Sequence, residues 1–301
     1  VVIVGLPRSG TSILFEVLSQ DQQFGVPQAW EAIFPCPPPE AASYDDDPRI
    51  ARAHAIETQW NRVCPEFATM HEMGGKIPAE CGHIMAGSFI SDHIAALHQS
   101  NSYAGFYATA DLTPAYQYHK MVLQVLQWKN PRQRWLLKAP AHQNYLDLLI
   151  KTYPDVCIVQ THRDPIKSMA SSTSMMGCLY AMRSDKPFDA ASFEDFMLGE
   201  ATAARLEYVM QQRETGVVPE GNIVDSRYQD LMDDPVACVE HIYAHFGIEL
   251  EAIAKQTMLN YLADKPKGKF GKHDYKLDGN AGAERQYFAR YQAAYNVPNE
   301  V

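Results

Sequence analysis

Gly5-Leu6-Pro7-Arg8-Ser9-Gly10-Thr11-Ser12 follows directly on the apolar run Val1 to Val4 and opens onto a segment patterned as a helix. A strand, a glycine-bounded turn and a helix in that order make an anion cradle. Successive backbone N–H groups of the turn and the positive end of the helix macrodipole hold a phosphate or sulfate. Pro7, Arg8, Ser9, Gly10, Thr11 and Ser12 are therefore candidate binding residues, with three hydroxyls as extra donors. A Walker-type loop needs Gly-x4-Gly-Lys-Ser/Thr so that its lysine reaches the β and γ phosphates. Here Thr11 stands where that lysine belongs, and the cation, Arg8, has moved inside the turn.

The surrounding chain of 301 residues, 46% hydrophobic and 21% charged, is long enough to bury a large core. Its formal charge of −10 argues against a general nucleic-acid or polyanion binder, so an anionic ligand must be met by a local basic cluster. Six cysteines without a Cys-x-x-Cys pair suggest neither a zinc site nor a disulfide framework, and they point to a reducing, cytoplasmic setting. No run of about eighteen apolar residues marks a membrane span, and no signal-peptide pattern is present. The chain opens on Val1 inside a strand, so upstream residues are expected to be missing and targeting stays open. The eleven histidines show no metal-binding spacing, and no catalytic metal is expected.

Short apolar runs predict strands at 1–4, 134–138, 156–161 and 222–227. Helical patterns at about 142–153, 165–176 and 192–213 alternate with them, and another covers 235–246. That alternation predicts an α/β fold: one domain over 1–301 with a P-loop-like parallel sheet flanked by helices on both faces. Between the first two strands, residues of about 35–130 read as a helical insert after the first βα unit, lying over the sheet's carboxyl edge, where open α/β folds bind ligands. Pro35, Pro37, Pro38 and Pro39 predict an extended segment, Asp45-Asp46-Asp47-Pro48 a turn, and helices follow at 48–62, 79–99 and 115–128. Trp60, Phe67, Met70, Met73, Phe89, Tyr103, Phe106 and Tyr107 read as insert core, some of them lining an acceptor site.

Further along, Thr161-His162-Arg163-Asp164-Pro165 ends an apolar strand and starts a helix holding Ser168, Ser171 and Ser172. Arg163 offers bidentate donors and Ser171 a hydroxyl about two turns along the helix. Asp264 to His273 carries four lysines with no acid between 265 and 273, either a binding loop or a solvated charge run. Leu136-Leu137-Lys138-Ala139-Pro140-Ala141-His142 takes a buried strand into a helix whose first turn holds a histidine, a residue suited to general-base work near neutral pH. Glu31, beside Trp30, is a rival base whose pKa burial would raise, or else a structural partner of Arg8. His71 and Glu80 are weaker candidates for the base, read first as ordinary surface or helix-end residues.

Together these motifs resemble the superfamily of sulfotransferases that use 3′-phosphoadenosine 5′-phosphosulfate (PAPS), in its bacterial-type branch, from Val1 to about Tyr275. The resemblance implies that Arg8-Ser9-Gly10-Thr11 is the 5′-phosphosulfate loop, and that Arg163 with Ser171 binds the 3′-phosphate. It also implies that Tyr228, in Tyr-x-x-Leu, lies near adenine, and that Lys267-Gly268 with Lys269 closes over the nucleotide. Leu-Lys-x-Pro-x-His around Lys138 and His142 is similar to a segment of the bacterial-type branch, and some members place a catalytic glutamate near Glu31.

The implied reaction is in-line sulfuryl transfer to a hydroxyl of a small molecule or lipid, releasing 3′-phosphoadenosine 5′-phosphate (PAP) without a metal. His142 or Glu31 takes the proton, and Arg8 or Lys138 stabilises the leaving group. The alternative, a P-loop kinase or a non-catalytic nucleotide-binding protein, would in its kinase form need a lysine at position 11 and an acidic Mg²⁺ ligand. No nucleic-acid partner is expected, and oligomeric state is not readable from one chain.

Overall fold

The structure, a computed structural model, describes residues 1–190, 193, 199–265 and 281–301. Its strands are β1 (Val2–Gly5), β2 (Phe24–Gly25), β3 (Arg134–Trp135), β4 (Leu137–Lys138), β5 (Ile158–His162) and β6 (Ile223–Arg227). The main sheet has the order β4-β1-β5-β6 with every pairing parallel. Each face takes alternate residues of the buried strands. Ile3, Val159 and Val224 pack with the helix Thr11–Leu18, the helix Pro235–Phe246 and Met258 on one side. Val2, Val4 and Ile158 pack with the helices Thr113–Gln127 and Leu146–Thr152 on the other. The expected α/β class, a parallel sheet flanked by helices, is what the chain forms.

The stretch expected as one strand at 134–138 serves two sheets. Arg134 and Trp135 pair with Phe24 and Gly25, whereas Leu137 and Lys138 pair with Val2 and Ile3. The switch occurs at one residue: Leu136 N donates to Gly25 O (2.9 Å) and Leu137 N to Val1 O (2.8 Å). The helix expected at 142–153 starts as a 3-10 turn, Pro140–Tyr145, before Leu146–Thr152.

Capping chemistry sets several helix starts as the sequence suggests. Asp47, Asp164 and Asp234 accept from backbone N–H groups at the starts of Pro48–Val63, Pro165–Ala181 and Pro235–Phe246. The continuous helix expected at 79–99 does not form. Cys81–Met85 gives way to a 3-10 turn, Phe89 adopts φ 58°, and Ser91 caps a new helix, Asp92–Leu97. Ser91 Oγ also donates to Gly82 O (2.8 Å), which fixes the fold-back. Helices Asn101–Thr109, Ala252–Asp264 and Ala281–Tyr295 were not anticipated from periodicity. Trp60 and Phe67 are buried as expected, but Phe89 (79% exposed) and Phe106 (49%) lie on the surface. Among the described residues no helix is long and apolar enough to cross a membrane.

Two glycines permit the close approaches that shape the carboxyl edge. Gly5 has φ +144°, and a Cβ there would sit 2.2 Å from Thr161 Oγ1; Gly10 has φ +97° and lies against Tyr228. Replacing Gly5 by Ala is expected to lower the unfolding free energy by about 3 kcal/mol in urea titrations. The control Gly221→Ala has open space around its Cβ and should change it by less than about 0.5 kcal/mol. Equal losses at the two positions would refute the role given to the Gly5 approach.

Candidate active site

The turn after β1 is held from behind by hydroxyls. Ser9 is buried, its Oγ 2.6 Å from Leu6 O and 2.6 Å from Thr161 Oγ1, and the latter donates to Val4 O (3.1 Å). Ser9 thus ties the turn to β5. Arg8 adopts φ 65°, a left-handed conformation that L-residues other than Asn and Asp rarely take and that recurs at functional loops. Gly10 caps the helix Thr11–Leu18 without a side-chain bond, so the first-turn N–H groups are left to meet an anion.

A second cation converges on this loop from the end of β5. Arg163 Nη1 donates to Arg8 O (2.9 Å), and its guanidinium carbon lies 3.8 Å from the Tyr228 ring centroid. Arg8 Nε donates to Ser171 Oγ (3.1 Å) and its Nη1 to Met70 O (3.1 Å). Arg8, Arg163, Ser171 and Tyr228, scattered in sequence, therefore share one corner of the carboxyl edge. Behind them His162 bonds Asp225 through Nε2 (2.8 Å) and Tyr291 through Nδ1 (2.8 Å), while Arg213 grips the same Asp225 carboxylate (2.6 and 2.9 Å). Burial alone would raise the Asp225 pKa, but His162 and Arg213 hold it well below the usual range. Lys267, Gly268 and Lys269 lie outside the described residues. Lys265, just before them, contacts Glu16 (2.9 Å) and Glu72 (2.7 Å).

Lys138, at the end of β4, donates to Ser12 Oγ (3.2 Å) and to the Glu80 carboxylate. Its side chain is 3% exposed and that of Glu80 29%, so the acid is the more accessible member of the pair. Burial would raise the Glu80 pKa, but Lys138 and His71, whose Nε2 is 3.8 Å away, hold it well below the carboxylate range. In the sequence Glu80 ranks, with His71, only as a weaker candidate base. It sits before a short helix like any helix-start acid, and only the fold sets it on Lys138.

His142 is buried, with Nδ1 2.7 Å from Tyr116 OH, and burial lowers its pKa to about 4. It is a neutral imidazole at pH 7. Glu31 stands apart from the Lys138 group. It is fully buried, accepting from Gln28 N (2.9 Å) and Tyr44 OH (2.9 Å), with Arg132 Nη2 at 3.5 Å. Burial raises its pKa, as expected, but its cationic partner is Arg132 rather than Arg8. Among the described residues no group of three or more His, Cys, Asp or Glu is placed to hold a metal ion.

The chain matches the model of the sulfotransferase family over residues 1–252. The omega-hydroxy-beta-dihydromenaquinone-9 sulfotransferase Stf3 of Mycobacterium bovis is 21% identical over 299 residues, covering 93% of this chain and 71% of the relative. The Mycobacterium tuberculosis protein of that name gives the same figures. Among solved structures, sulfotransferase STF9 from Mycobacterium avium superposes with a TM-score of 0.82 at 24% identity, covering 100% of this chain and 77% of that one. Sulfotransferase STF1 from Mycobacterium tuberculosis H37Rv gives 0.76 at 28% identity, covering 96% and 76%.

Behind His142 lies His119, whose Nδ1 is 2.7 Å from Tyr153 OH and whose pKa burial lowers to about 3 from 6.5. A histidine depressed in the folded state lends stability above its unfolded pKa and loses it as pH falls towards the folded value. Relative to His119→Gln, the wild-type chain is expected to lose about 2 kcal/mol between pH 7 and pH 5. Paired urea melts measure this; parallel stability curves would show that His119 titrates normally.

Proposed function

Because this chain belongs to the sulfotransferase family, we propose that it transfers the sulfuryl group of PAPS to the hydroxyl of an apolar, lipid-class alcohol. The observation that carries the nucleotide assignment is the convergence of Arg8 and Arg163 on one loop, joined by the bond from Arg163 to the Arg8 carbonyl. The loop N–H groups and Arg8 hold the 5′ end, Arg163 and Ser171 the 3′-phosphate, and Tyr228 lies on the adenine side. Lys267, Gly268 and Lys269 are assigned to the loop that closes over the nucleotide.

The acceptor oxygen forms its bond to sulfur as the bond from sulfur to the 5′-phosphate oxygen breaks, and the electron pair leaves with PAP. Lys138, in contact with Ser12 of the loop, neutralises the charge that builds on that phosphate. We assign the acceptor's proton to Glu80, which is ionised and the more exposed member of its pair with Lys138. As Lys138 turns towards the leaving group, Glu80 loses its partner and its basicity rises. A second reading makes His142 the base, favoured by its neutral imidazole. Glu31, committed to Tyr44 and Arg132, takes a structural role.

The lipid-class acceptor is supported by an apolar cluster of Trp60, Phe67, Met70, Met73, Leu97 and Met176, which adjoins the loop where Met70 O accepts from Arg8. Methionine-rich linings adapt to flexible chains. The name of Stf3 also describes a hydroxylated dihydromenaquinone as that enzyme's acceptor. Six free cysteines suit a reducing, cytoplasmic compartment.

Glu80→Gln is expected to lower kcat by about 10²- to 10⁴-fold with little change in the KM for PAPS. If His142→Asn shows that loss and Glu80→Gln does not, the base is His142. Arg163→Ala should weaken PAP far more than AMP in calorimetry, since the two differ only in the 3′-phosphate. Tighter, Mg²⁺-dependent binding of ATP by the wild-type chain would instead favour a kinase.

A further inference from the structure

The edge of Arg163 that faces away from Arg8 already carries an anion. Arg163 Nε donates to both carboxylate oxygens of Glu300 (2.8 and 3.1 Å), and Nη2 donates to Glu300 Oε2 (2.7 Å). This is a fork-on-fork pairing, the geometry in which a guanidinium also receives a phosphate. The segment that brings Glu300 there is well anchored. Val297 is buried, Asn299 Oδ1 accepts from Gln292 Nε2 (2.9 Å), and Glu300 N donates to Asp164 Oδ2 (2.8 Å). Arg285 joins the same fully buried Asp164 (3.2 Å) to Val301 O (2.8 Å). The carboxylate is thus held beside Arg163 by backbone and side-chain bonds one residue away from it.

Resting on the reading of Arg163 as the 3′-phosphate ligand, we propose that Glu300 is a specificity-determining residue that exchanges with the 3′-phosphate on Arg163. Glu300 occupies the Nε and Nη2 donors of the guanidinium while Nη1 is committed to Arg8 O, so an anion arriving on the Nε/Nη2 edge competes with the carboxylate. A nucleotide bearing a 3′-phosphate must displace Glu300 from that edge; one with a 5′-phosphate alone need not. After transfer, Glu300 takes the edge back as PAP departs, which keeps the half-buried guanidinium paired. The pair is only partly covered, 13% and 23% exposed at the two side chains, so the exchange is reversible rather than a lock.

Calorimetry on the full chain with PAP and with AMP tests the exchange. Glu300→Gln is expected to tighten PAP by about three- to tenfold, because the binding-competent arginine is no longer held by a competitor. AMP affinity should stay within about twofold of wild type. Unchanged or weaker PAP binding overturns the proposal, and so does AMP tightening as much as PAP, which would mean a general charge effect. Glu300→Asp, which keeps the charge but shortens the reach, should fall between wild type and Gln and serves if the Gln variant is poorly folded; PAP affinity equal to wild type would count against the proposal. The underlying assignment fails separately: if wild type binds PAP no more tightly than AMP, or Arg163→Ala keeps the preference, Arg163 is not the 3′-phosphate ligand.

Discussion

The backbone of Gly5 passes so near Thr161 that no side chain fits between them, and the carboxyl edge of the sheet is laid out from that approach. Gly5 pairs with Thr161 in register, so the turn that follows β1 starts level with the end of β5. Two residues beyond Thr161 stands Arg163, close enough to bond the Arg8 carbonyl. The hydroxyl contact between Ser9 and Thr161 locks the same junction from within. On the proposed reading, the two ends of a bisphosphorylated nucleotide fall to groups whose backbone positions are set by sheet register. This is the positioning that group transfer needs.

On the proposed reading, a chain of net charge −10 must receive a polyanion, a difficulty of its own making. Its solution is to pair the important cations beforehand. Lys138 holds Glu80, Arg163 holds Glu300, and Lys265 holds Glu16 and Glu72. Lys138 is buried, and leaving its charge unpaired would be strongly unfavourable, so Glu80 keeps it partnered. On the proposed reading, an arriving phosphate competes with a carboxylate at Arg163 instead of filling bare positive charge.

The parts of this site that were legible in the sequence are those held within one stretch of chain. The turn from Gly5 to Ser12 stands out within one stretch, and Arg163 and Ser171, singled out by the resemblance at eight-residue spacing, both bond Arg8. Glu80 ranked only as a weaker candidate, because it meets Lys138 across 58 positions and nothing local marks that contact. Glu31 was read correctly as buried, yet its partner Arg132 lies 101 positions away, and no local pattern distinguishes that arginine from Arg8. The run at 134–138 looked like one strand because apolarity does not reveal which neighbour each residue will bond; Leu136 and Leu137 choose differently. The break in the helix expected at 79–99 was hidden for another reason. Its left-handed residue is Phe89, where glycine would have advertised the turn.

The helix Asn101–Thr109 has no fully buried residue; it is held at Tyr103, whose hydroxyl accepts from Ser91 N and lies within bonding distance of Phe89 O, and at Tyr107, which packs on the core and bonds Tyr145. A segment with so little buried apolar surface belongs to the low end of local stability, opening independently of the sheet. Its amide protons will exchange with deuterated solvent long before those of β1 and β5. That segment can therefore open while the four-stranded sheet stays closed.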